Sequence, residues 1–492
     1  MANPPPPYDN ITGISRAAMK DNAQVTLAEY DGNARPGELV VDQTTSIVYV
    51  GNALGDLTAV ATPGGATTWA LLSNKTGASG PAAIALGQNA GLDGQDADAV
   101  AIGKNAGQGG QFAAAISIGQ NAGGNTTQGS SAVAIGVSAG FDAQGQYGVG
   151  IGPFTALTAQ GIRSVAIGLS SGQSSQGANS VAIGQYAGNE IQGVSAVAIG
   201  KNAGYTGQGV EAVAIGRLAG DTSQGTSAVA IGSGAGRTSQ ANNSIILNAT
   251  GHGAGANTQG TQSVAIGLYA GETSQGIQSV AIGTSAGAAS QGTLAVAIGN
   301  SSGTTSQGTQ AVAVGTGAGY NTQGNNAVAV GRSAGNQTQG VGAVAVGIQA
   351  GDTNQGINSV AIGNVAGQTN QGTQSVAVGL SAGSTTQGAY SVAVGDTAGQ
   401  TTQGIQSVAV GQRAGFSNQG QYSVAIGAYA GNSAQGERTV AVGYGAGITS
   451  QGNSAIAIGN FAGNATQGTY AIAIGSNAGD QGQGANTVAI GA

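Results

Sequence analysis

Side chains able to do chemistry are scarce in this chain of 492 residues. It holds one histidine, His252, and no cysteine. Thiolate metal sites and disulfide frameworks are therefore excluded, and a histidine cluster for metal or general-base work cannot be assembled. The Asp and Glu residues of segment 78–492 are scattered and lack the Gly-Gly-x-Gly-x-Asp spacing of a calcium-binding repeat. Strings such as Gly315-Thr316-Gly317-Ala318-Gly319 invite a phosphate-loop reading. A dinucleotide fingerprint needs a strand before it and a helix after it, and no helical pattern follows. The expectation is a protein that is not an enzyme, with no catalytic, metal-binding or cofactor-binding residues and no cofactor. Two regular columns remain. Gln recurs once per sixteen residues, from Gln95 through Gln275 to Gln483. It reads either as a ligand-binding array or, preferably, as a ladder of amides each bonded to the next. Just before it stand Thr, Ser and Asn (Thr273-Ser274, Thr305-Ser306, Thr353-Asn354, Thr401-Thr402). Such a face could bind ice or polysaccharide, although Ala289, Gln337 and Ala465 interrupt it.

The elements that carry these columns follow from composition and period. The chain has 94 Gly and 8 Pro, with 6% charged and 4% aromatic residues, whereas ordinary domains carry about 25% charge and about 7% Gly. Collagen is excluded, because Gly does not fall on every third residue. Self-similarity appears instead at sixteen residues, the mark of stacked repeats. One unit runs from Ser263 to Gln278, opening Ser-Val-Ala-Ile-Gly. Its second position recurs from Ile84 to Ile245 and again from Val264 to Val488, giving 26 units. Small-Val-Ala-Ile-Gly alternates with period two, the pattern of a half-buried strand. Positions two and four are aliphatic in every unit, from Ile84 and Leu86 to Val488 and Ile490, which predicts that this pair is buried. Glycines at positions five, nine and fourteen (Gly267, Gly271, Gly276) suit corners that need positive φ or close backbone approach.

Strand, corner, short strand, corner, at constant length, describes one coil of an all-β parallel β-solenoid. At roughly 4.8 Å per coil, 26 coils would make a rod about 125 Å long. Two aliphatic side chains per coil bury little surface against the entropy of ordering sixteen residues. Homo-oligomerisation along the rod is therefore expected, and the aliphatic pair could instead line the shared axis with alanines inside each coil. Three breaks interrupt the period. The third unit has one extra residue within Gly124-Asn125-Thr126-Thr127, the fifth is read with Leu157 in place of its ninth-position glycine, and three residues are inserted within Ala249–Gly255. The last reads as a tolerated surface loop.

Residues 1–77 differ in composition and read as an N-terminal attachment or base segment, with 78–492 as the repeat shaft. Pro4–Pro7 is a stiff leader, Ile14–Tyr30 could form a short helix, and Glu38–Asp42 with Ser46–Gly51 reads as a β-hairpin. Trp69 is placed to cap the first coil. The opening Met-Ala-Asn-Pro-Pro-Pro-Pro-Tyr8 does not read as a secretory signal. No run of 18 apolar residues suggests a membrane span, and a net charge of −7 offers no basic footprint for nucleic acid.

The unit Ser-Val-Ala-Ile-Gly followed by a turn resembles, over residues 84–492, the head repeat of YadA-like trimeric adhesins. That resemblance implies a left-handed parallel β-roll, three chains side by side, that binds surfaces. The string Ile14–Lys20 through Ala34–Asp42 resembles the start of structural and fibre proteins of marine bacteriophages. Together these imply a homotrimeric structural fibre of a virus particle, capsid or tail. Residues 1–77 would meet a virion anchoring protein, and the shaft would reach a glycan or protein on the host cell surface. The alternative reading is a cell-surface or secreted adhesin of the YadA-like type, located outside the cell rather than on the virion.

Overall fold

A computed structural model describes residues 39–42, 47–51, 57–61, 80–247 and 257–491. The chain divides into two compact units, residues 1–162 and 163–492. The readings at Pro4–Pro7, Ile14–Tyr30, Trp69 and Ala249–Gly255 lie outside the described residues.

The first unit contains a small antiparallel sheet. Leu39–Asp42 pairs with Ile47–Gly51, Leu39 opposite Val50 and Asp42 opposite Ile47, as the hairpin reading predicts. A third strand, Leu57–Ala61, adds to the second. The same unit holds the first five solenoid strands, from Ile84–Leu86 to Val149–Ile151. The second unit continues the pattern through 21 described strands, from Val165–Ile167 to Val488–Ile490. Each pairs in parallel and in register with the next: Val264 with Val280, Ala265 with Ala281, Ile266 with Ile282. A shorter parallel sheet forms from unit positions eleven to thirteen, for example Thr353–Gln355 beside Thr369–Gln371. Among the described residues there is no helix.

The aliphatic pair does not face inward. In strand after strand the middle residue alone is sealed, and the residues on either side are half-buried or exposed. Ala265 is 0% exposed, as is Ala270 across the coil. Columns of such alanines, from Ala313 and Ala318 to Ala473 and Ala478, form the continuous apolar core. The reason is width. A sixteen-residue coil with two tight corners leaves room for methyl groups and a flat amide but not for a branched side chain per strand. The small first-position residue is also inside; Ser263 Oγ donates to Gly260 O at 2.6 Å. Period-two alternation sorts residues onto two faces without saying which face is narrow.

Corner glycines hold the coils at this separation. Gly395 has φ +131°, and a Cβ there would lie 2.6 Å from the carbonyl oxygen of Gly411 in the next coil. Gly276 lacks a positive φ, yet the backbone of Gly292 leaves no space for a Cβ. In the fifth unit the corner falls on Ala156 and not on Leu157: counted from the strand Val149–Ile151, Ala156 holds the ninth position and takes up the left-handed corner itself with φ 46°.

Breaks in the period leave the ladder intact. Ile116 pairs with Val133 across the extra residue of the third unit. Ile245 pairs with Val264 across the three-residue insertion. In that coil Ile246 replaces the inward alanine and is fully buried.

Candidate functional site

Three outward surfaces and one inward column could carry function. The inward column is the glutamine series, and its members are buried. Gln208 Nε2 donates to Val197 O at 2.8 Å, to Ala212 O at 3.3 Å and to Gln224 Oε1 at 3.1 Å. The amide ladder is therefore present over part of the column, and a ligand array is excluded by lack of access. Period alone did not reveal the amide's second task, tying the long strand to the corner that follows it. That backbone link is the more constant one. Along Gln371, Gln387, Gln403 and Gln419 the Oε1 atoms are buried without a partner, while each Nε2 still reaches a strand carbonyl.

The first outward surface is the aliphatic ribbon. Positions two and four of every long strand project away from the alanine core and stack in register. Ile298, Ile362, Ile426 and Ile458 are among its exposed members. At position fifteen, beside this strand, several coils add a further aliphatic group, such as Val210, Ile277 and Ile357, the last two about half exposed. A continuous exposed apolar strip is uncommon on a monomeric protein surface and marks an interaction site.

The second is the outer face of the short sheet, where Thr322, Thr338, Thr386 and Thr402 are exposed above the buried glutamines. Ala434 and the amides of Asn354 and Asn370 interrupt the hydroxyl column, and Asn354 Nδ2 spends its hydrogen bond on Asn370 Oδ1 at 3.0 Å. The third is an aromatic cluster on one corner of the coils between residues 413 and 461, where Tyr429, Tyr444 and Phe461 meet edge to face.

Charged groups add little. Among the described residues Arg237 pairs with Asp221 at 3.8 Å, and no group of three or more His, Asp or Glu side chains is arranged to hold a metal ion. Burial raises the Asp221 carboxyl from its usual range, and Arg237 opposes that shift. Burial alone raises Asp352. Gly315, Gly317 and Gly319 are corners with positive φ, followed by the short strand Thr322–Gln323 and not by a helix.

Comparison with known proteins agrees with this geometry. The YadA head domain repeat matches residues 159–187, 247–270 and 419–446. No curated protein and no solved structure gives a significant match, and the phage-like string of residues 14–42 finds no counterpart among the matches. Each matched segment contains the inward alanine and outward aliphatic pair on which the coil is built, and over these residues the chain is similar to the YadA head repeat.

Proposed function

We propose that this chain is the head of a cell-surface or secreted adhesin of the trimeric YadA-like type. It would present a stiff β-solenoid to an external surface. The carrying observation is the in-register ribbon of Val and Ile on the outside of each coil. Burying about 25 cal/mol per Å² of apolar surface on every coil gives neighbouring copies of this chain a strong reason to associate along their length. The match to the YadA head repeat favours three copies and a surface location over the virus-particle fibre. The role is mechanical, placing many weak contacts on one rigid support where effective concentration adds them together.

Fractionation of producing cells tests the location. Recovery of the chain in the surface or secreted fraction supports the reading. Recovery only in purified virus particles would overturn it.

A further inference from the structure

The aromatic residues of the solenoid are unevenly placed. Seven of them fall between Tyr390 and Tyr470, whereas the stretch from 206 to 389 holds only Tyr269 and Tyr320. Five residues of the enriched region lie on one corner over four successive coils. Arg413 places its guanidinium carbon 4.5 Å from the Phe416 ring centre and 5.7 Å from that of Tyr429. Tyr429 meets Tyr444 with ring centres 5.9 Å apart, and Tyr444 meets Phe461 at 5.2 Å. Tyr444 is 53% exposed. Arg413 has no carboxylate within ion-pair distance among the described residues, and its Nε is buried without a hydrogen-bond partner.

We propose that this corner binds an extended anionic polysaccharide, laid along the solenoid axis with a sugar ring against the exposed Tyr444 and an acidic group on Arg413. Tyr444 offers an exposed ring on a rigid support, flanked in the neighbouring coils by the half-buried Tyr429 and Phe461, at about one ring per coil, a spacing close to the strand separation. A guanidinium held over aromatic faces still presents its planar fork to a carboxylate or sulfate. Edge-to-face packing orders the rings in advance, so little entropy is lost on binding. A folded protein partner is less well matched, since the stripe is one side chain wide and offers far less than the area of a stable protein interface. The inference rests on the adhesin reading for its biological setting but not for its chemistry.

The test uses the full chain in affinity electrophoresis at low salt against polygalacturonate, dextran sulfate and neutral dextran. Retardation by either acidic polymer is expected, and which one separates a uronate from a sulfate requirement. Tyr444→Ala and Arg413→Gln should each weaken it about fivefold or more, while Tyr390→Ala, at another exposed tyrosine, should not. An unchanged β-rich far-ultraviolet spectrum checks that each variant is folded. Absence of retardation by both acidic polymers, equal retardation by neutral dextran, or full binding by both corner variants would overturn the proposal. The fractionation result for the adhesin reading is unaffected by any of these outcomes.

Discussion

Gln208 hands one amide hydrogen to Gln224 across 3.1 Å, sixteen residues further along the chain, and both side chains are buried. The same amide bonds the carbonyls of Val197 and Ala212, so one side chain closes its coil and links it to the next. Gln208→Ala is expected to destabilise the surrounding coils by about 1–3 kcal/mol through unsatisfied carbonyls alone, with the cavity adding to this. Because stacked repeats open locally, amide hydrogen exchange around residues 197–224 is the measurement. Exchange unchanged there would contradict the role.

The inward column tolerates one size of side chain at each coil. Ala345→Ile should cost about 1–3 kcal/mol or more, since the neighbouring alanines leave no free volume. Ile246→Ala should also destabilise, by about 2–5 kcal/mol, because that coil is already filled by the larger group. Opposite responses to size at two equivalent positions, read by thermal unfolding of the two variants, would confirm that local volume governs the core.

In most coils the seventh and sixteenth positions are non-glycine residues with left-handed backbone, as Tyr269 (φ 57°) and Gln278 (φ 55°) are, and in some coils the twelfth is too, as Asn354 (φ 55°) is. Val365, with φ 61°, is the costly case because its branched β-carbon crowds the following carbonyl. Val365→Asn is expected to stabilise by about 1 kcal/mol, seen as a raised unfolding midpoint.

Burial holds the Asp352 carboxyl above its ordinary range. The folded chain therefore keeps this proton more tightly than the unfolded chain, and stability from this group falls as pH rises through the raised value. Asp352→Asn should remove that slope and leave the chain slightly more stable at neutral pH. Denaturant midpoints collected from acid to neutral pH for both proteins check the sign.

Much of the architecture is legible in the sequence, because a sixteen-residue period with three corner glycines admits few folds. The glutamine ladder was legible for the same reason, as an unvarying polar residue beside variable neighbours is a sign of internal bonding. The direction of the aliphatic pair was not. Val264 and Ile266 look like core residues until the coil is seen to be too narrow for them, and hydrophobicity carries no information about available width. The left-handed corners at positions seven and sixteen were hidden because residues as different as Tyr269, Gln278 and Val365 occupy them. The aromatic corner was missed because its members sit at three different unit positions and come together only when the coils stack.

The central claim is that alanines fill each coil so that Val and Ile are left outside to join copies of this chain. Light scattering on the native protein tests it most directly. The expected mass is that of three copies of the 46.6 kDa chain. A wild-type protein that stays at the mass of a single chain, with its aliphatic ribbon exposed to water, would contradict the account.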